Sequence, residues 1–179
     1  MKNFRKFSAL FLLCVALLCG CTQSNIVSPG AGTVEGPAVP DLETKEGVEI
    51  DWSQMREDLR EVYIEPYGIY GDYVMDLDVT FDAGSNTMTL LLPVTPKTTP
   101  EIAVAYAQDV LKTCGDLLSE QDFSNEPSKE EGTYYGSYFD KHNVKVQVFP
   151  YASQDDESAY LVNDTMKSGE QRALKAQTK

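Results

Sequence analysis

Few residues of this 179-residue chain could do chemistry, and their spacing decides most of the cases. His142 is the only histidine, set between Asp140-Lys141 and Asn143 in a run of turn formers. A Ser–His–Asp or Cys–His arrangement needs its base held beside a nucleophile, and a hairpin tip is a poor support for that. Asp76-Leu77-Asp78-Val79-Thr80 opens with the spacing of a helix–loop–helix calcium site. The sixth position of such a loop is glycine, for the sharp turn, and here it is Phe81. Strand alternation accounts for both aspartates as outward residues, and together with Asp82 they could hold a cation only weakly. Asp155-Asp156-Glu157 reads as a solvated acidic loop. Zinc needs three or four His, Cys or carboxylate ligands, and no such cluster is visible in the sequence. There is no glycine-rich phosphate loop, nucleophile elbow or paired-cysteine motif, so neither a metal nor a cofactor is expected. Two carboxylates across a cleft would suffice for a glycosidase, but nothing in the spacing selects a pair.

Tyrosine is the composition signal worth following. The chain has ten, with Tyr63, Tyr67, Tyr70 and Tyr73 in one stretch and Tyr134, Tyr135 and Tyr138 in another. If Phe139 points into a core, period two places Tyr135 inward and Tyr134 and Tyr138 outward. The outer sheet face would then show Asp76, Asp78, Thr80, Thr87, Thr89, Tyr134, Tyr138, Lys145 and Gln147. A tyrosine ring offers large apolar area with a hydrogen-bonding tip, which suits peptide or sugar contacts. Tyr134, Tyr138, Asp76 and Asp78 are therefore the candidate ligand-binding residues. The competing reading is that β-sheets favour tyrosine for packing alone.

The elements that must position these residues begin at Asp51. Trp52, Met55, Leu59 and Val62 repeat at spacings of 3, 4 and 3, an apolar stripe on a short helix capped by Asp51 or Ser53. Residues 73–94 read as a hairpin, with Tyr73, Met75, Leu77, Val79 and Phe81 alternating against polar neighbours. The turn is Asp82-Ala83-Gly84-Ser85-Asn86, and Met88, Leu90 and Leu92 face the core on the return. Thr99-Pro100-Glu101 starts a second helix, whose stripe Ala103, Ala107, Val110, Leu111, Cys114, Leu117 and Leu118 spans nearly six turns. Residues 133–139 and 144–149 read as a second hairpin around Asp140–Asn143, with a short strand near 159–162 and a basic tail or helix over 165–179. Phe81-Asp82, Asn86 and Pro93 are matched in pattern by Phe139-Asp140, Asn143 and Pro150. The expected fold is α+β: a four-stranded antiparallel sheet from two β-hairpins, in α-β-β-α-β-β order, with both helices on one face and the other face open.

The first 21 residues carry an address. Lys2, Arg5 and Lys6 precede an apolar stretch from Phe7 to Leu18, the layout of a secretory signal and short for a membrane span. The segment closes on Leu18-Cys19-Gly20-Cys21, which resembles the lipobox of bacterial lipoproteins. Cys19 stands where a small alanine, serine or threonine is more usual. That resemblance covers this segment alone and implies cleavage before Cys21, lipidation of Cys21, and a membrane-anchored protein on the extracytoplasmic side. Thr22 to Ile50, with three prolines and four glycines, then reads as a flexible tether. The expected layout is thus a signal over 1–20, lipidated cysteine and tether over 21–50, one domain over 51–164, and the tail.

Composition narrows the partners. The leader holds three of the 15 basic residues and none of the 28 acidic ones, so the remainder carries 12 against 28, a net charge of −16. Nucleic acid and anionic headgroups are poor partners for such a surface. Past the lipobox Cys114 is the sole cysteine, so no internal disulfide is available, and its place on a helix stripe marks it as a small core hydrophobe. The function expected is a non-catalytic binding or assembly module of the cell envelope, with an envelope protein or glycan as partner. A small carboxylate-dependent cell-wall or carbohydrate hydrolase is the alternative. A transport receptor that closes two lobes around its ligand needs more chain than this.

Overall fold

The structure is a computed structural model that describes residues 48–64 and 68–178; the leader, Cys21 and the tether up to residue 47 lie outside the described residues. Helix α1 (Trp52–Ile64) starts where the Asp51 carboxylate accepts from the amides of Ser53 and Gln54, both at 3.0 Å. Its buried stripe is Met55, Leu59 and Tyr63; Val62, expected there, is 52% exposed. Strands β1 (Asp78–Asp82) and β2 (Thr87–Val94) form the first hairpin, antiparallel, with Asn86 in the left-handed region at φ 52°. Helix α2 (Pro100–Gln121) opens on Thr99, whose hydroxyl accepts from the Ile102 amide, with Pro100 in its first turn. Its stripe buries Ala103, Ala107, Val110, Leu111, Cys114 and Leu118, together with Tyr106. Strands β3 (Asn143–Pro150) and β4 (Val162–Met166) complete the sheet.

Among the described residues the class is α+β, with one four-stranded sheet and two helices, but the sheet is mixed. β2 and β3 run parallel in the centre, register Thr87↔Asn143 to Val94↔Pro150, with β1 and β4 antiparallel at the edges. The expected all-antiparallel sheet of two sequence-adjacent hairpins is therefore corrected. α2 lies in the connection between β2 and β3, which brings β3 in from the same end as β2; parallel strands need a long crossover of this kind. The element order also departs from helix–hairpin, helix–hairpin, because 133–139 is no strand: it is a loop followed by a 3-10 helix, Ser137–Asp140.

The reason is local and steric. Gly136 sits at φ 115°, which a strand residue does not adopt, and the loop presses on α2 at Gly115. A Cβ on Gly115 would lie 1.7 Å from the Tyr135 carbonyl oxygen. Backbone groups of the loop find partners outside any sheet: the Tyr135 amide donates to Gln171 Oε1 at 2.6 Å and the Ser137 amide to the Glu126 carbonyl at 3.0 Å.

The first hairpin departs from simple alternation as well. Asp78 pairs with Leu91 but Val74 bridges Val94, so one extra residue lies in the approach to β1. The amides of Met75 and Asp76 both donate to the Pro93 carbonyl, the signature of a β-bulge. The bulge shifts the alternation by one, which turns Val74 toward the core and leaves Met75 48% exposed.

Both helices cover the face that carries Val79, Leu90, Leu92, Val146 and Val148. Residues after β4, expected as a tail or short helix, have no helix and pack along the domain. Leu174 is buried there, the Gln177 amide donates to the Leu161 carbonyl, and the Tyr135 hydroxyl donates to the Arg172 carbonyl. Arg172 holds Asp164 on β4 through two hydrogen bonds, 2.7 and 2.9 Å. Those bonds, with the Lys175 amide, hold the Asp164 carboxyl below its ordinary range.

Two outcomes follow for stability. Gly115→Ala, read by urea unfolding, costs about 3 kcal/mol or more because the helix and loop must separate, whereas Gly84→Ala in the turn costs under about 1 kcal/mol. Asp164 has a lowered folded-state pKa, so its contribution is complete above the ordinary carboxylate value and is lost as pH falls through the folded value. The stability gap between wild type and Asp164→Asn therefore closes on acidification from pH 6 to pH 2, and a gap that stays constant contradicts the ion pair's role.

Candidate functional site

Two chain segments with separate reasons to be where they are create the candidate cleft. The Asp51 amide donates to Gln121 Oε1 at 2.7 Å, and Gln121 Nε2 donates back to the Asp51 carbonyl at 3.3 Å. This reciprocal pair ties the start of α1 to the end of α2. Beyond α2, the Asp122 carboxylate accepts from the Ser124 amide and from Asn125 Nδ2, which folds 122–125 into a compact turn. Val48, Glu49 and Ile50 lead into α1 on the other side.

Between them lies a cleft of about 580 Å³, walled by Trp52, Phe81, Tyr138 and His142 and edged by Glu49, Asp122, Ser124, Asn125 and Lys141. The wall is two aromatic stacks meeting edge to face. Trp52 lies parallel to Phe81, centroids 5.2 Å apart and planes 7° apart. His142 lies parallel to Tyr138 at 3.8 Å and 10°. Trp52 and Phe81 meet Tyr138 at 67° and 68°. Edge-to-face and offset contacts of this kind add about 0.5–1.5 kcal/mol each beyond burial, so the rings of the wall favour this arrangement over separate ones. The 3-10 helix Ser137–Asp140 places both members of the second stack: His142 Nδ1 donates to the Tyr138 carbonyl at 2.8 Å. The carbonyl can only accept, so neutral His142 carries its proton on Nδ1 and offers Nε2 as an acceptor.

The sequence-derived candidates fall in different places. Tyr138 is not on an outer sheet face: only 6% of it is exposed, and burial alone pushes its hydroxyl's pKa up. It is nevertheless part of the cleft wall. Tyr134 is also off the sheet, in the loop before the 3-10 helix, where its hydroxyl donates to Glu126 and Lys129 Nζ sits 4.6 Å over its ring. Period two has no meaning where no strand forms, and neither tyrosine lies on a strand. Asp76 and Asp78 are half exposed and engaged by α1, Asp76 with Arg60 at 2.8 Å and Asp78 with Arg56. Arg56 also donates to the Val79 carbonyl, so these pairs close the β1 edge. The structure thus separates Asp76 and Asp78 from Tyr134 and Tyr138.

On the outer face, Gln147 and Phe149 are nearly buried rather than open, Phe149 stacked on Tyr160 at 4.8 Å. Cys114 is buried, and desolvation raises its thiol pKa, so it is a core group. Among the described residues no group of three His, Cys, Asp or Glu could hold a metal, and no helix is long and apolar enough to cross a membrane.

Trp52 and Phe81 are the site residues that pattern reading assigns only to the core. The available signal was their position: each sits at the end of its amphipathic element, and Trp52 is the only tryptophan. Compared with known protein families, curated proteins and solved structures, the chain matches none.

The cleft's dependence on Tyr138 has a measurable form. Tyr138→Ser costs about 3–5 kcal/mol in urea unfolding because it deletes a buried ring, whereas Tyr134→Ser stays within about 1 kcal/mol. Equal effects would mean that Tyr138 does not hold the wall together.

Proposed function

We propose that this chain is a lipid-anchored, extracytoplasmic binding module of the cell envelope that works without catalysis. The observation that carries the reading is the cleft at the start of α1: a preformed aromatic wall with a few polar groups at its edge, the usual composition of a ligand site. The leader, the lipobox-like Leu18-Cys19-Gly20-Cys21 and the proline- and glycine-bearing segment after it support the anchored location. A surface of strong negative charge supports a domain held off the bilayer, with lipid as its only attachment.

The cleft favours binding over the carboxylate hydrolase. A glycosidase sets two free carboxyl groups across its cleft. Here both Asp122 oxygens are committed to the turn, and Glu49 is an exposed residue on the lead into α1.

The anchor is tested by growing cells with an alkyne analogue of palmitate. Wild type takes up the label and sediments with membranes; Cys21→Ala loses the label and the sedimentation while Trp52 emission stays unchanged. Label retained by Cys21→Ala overturns the anchor.

A further inference from the structure

We infer that the cleft takes a neutral sugar ring of a glycan, an assignment that rests on the binding-module reading and names its ligand. The wall supplies the apolar half of that recognition. Trp52, Phe81 and His142 present partly exposed rings backed by the buried Tyr138, and a pyranose has a face of C–H bonds that lies against such rings. Because the stacks hold one another in place, little ordering entropy is left to lose when a ligand arrives.

The edge supplies the polar half, and its mixture of groups selects the ligand. Glu49 and His142 Nε2 accept hydrogen bonds, while Lys141 donates. A hydroxyl donates and accepts at once, so a ring bearing several of them satisfies both kinds of group. Strongly anionic ligands meet two carboxylates, Glu49 and Asp122. A purely apolar peptide side chain would bury these edge groups without partners. The volume, about 580 Å³, lies within the range of small-molecule sites. Phe123, between Asp122 and Ser124, is 86% exposed, and Val48 is 42% exposed. Val48 lines the cleft and Phe123, between two lining residues, adds exposed apolar surface next to them, where a second sugar residue of a chain would pass.

Trp52 makes the test direct, since it is the only tryptophan and stands in the wall. The full chain, held in phospholipid nanodiscs, is titrated with cellobiose, maltose and N,N′-diacetylchitobiose and with their tetrasaccharides, reading Trp52 emission and calorimetric heat. A saturable change with at least one of them is expected, tighter for the tetrasaccharide. Lys141→Ala with His142→Ala should weaken it about tenfold or more, since it removes a charge-assisted hydrogen bond, an acceptor and one ring of the wall, and Tyr134→Ser should leave it unchanged. Far-UV circular dichroism checks that both variants are folded. Silence with all six saccharides, or binding untouched by the double variant, overturns the sugar assignment. Photo-cross-linking in native cells from Phe123→benzoylphenylalanine then separates the two levels. A defined protein adduct alongside silent saccharides overturns the sugar and leaves the binding module; no adduct and no saccharide response overturns both.

Discussion

The parallel pairing of β2 with β3 is the constraint on which the rest of the structure depends. Eight residue pairs, Thr87↔Asn143 to Val94↔Pro150, join the two central strands. To pair in this sense the chain must travel back along the sheet between them, and α2 makes that journey over 22 residues. Once α2 lies on the face, α1 packs beside it, and the segment from 122 to 142 must cross from the helix end to the start of β3. The cleft forms at that crossing. The strand starts are locked as well: the Asn143 amide donates to the Asn86 carbonyl, Asn86 Nδ2 to the Lys141 carbonyl and Asn143 Nδ2 to the Ser85 carbonyl. The two asparagines of the recurring Phe-Asp, Asn, Pro pattern thus do related work on adjacent strands, one residue out of register.

Close backbone approach is the second theme. Gly115 lets the 133–136 loop touch α2, and Gly136 supplies the turn that α2 and Glu126 demand. These glycines sit in different elements and act as one contact. Their joint effect brings Tyr138 out of any strand and into the wall beside Trp52. A site assembled this way from a helix start, a strand end, a turn and a 3-10 helix has no contiguous motif, which is why no single stretch announces it.

The electrostatics follow the same division of labour. Arg56 and Arg60, one helical turn apart, meet Asp78 and Asp76, two residues apart on the approach to β1. Period 3.6 on the helix and period 2 on the strand bring both pairs into register. At the other edge Arg172 and the C-terminal segment cover β4 through Asp164. In a chain with nearly two acidic residues for each basic one, three arginines are thus spent closing the two edges of the sheet. Of the three aspartates considered for a cation, Asp76 and Asp78 are the partners of that closure, and Asp82 accepts from the Gly84 and Ser85 amides in the turn.

The sequence alone determined the two helices, the β1–β2 turn and the inward face of β2, because periodicity and capping are properties of neighbouring residues. Met55 and Leu59, Met88 to Leu92, and Ala103 to Leu118 lie where their spacing puts them. Cys114 is buried for the same reason. Tertiary structure alone decided the rest. Whether 133–139 pairs or wraps depends on Gly115, some twenty residues away in the chain, and on Gln171 beyond β4. Whether β3 meets β2 in parallel depends on where α2 returns it. The bulge at Met75–Asp76 arises from pairing with Pro93, and a one-residue slip there reverses which side chains enter the core. Each of these is a contact between distant residues, and local spacing carries no record of which distant surface a segment will meet.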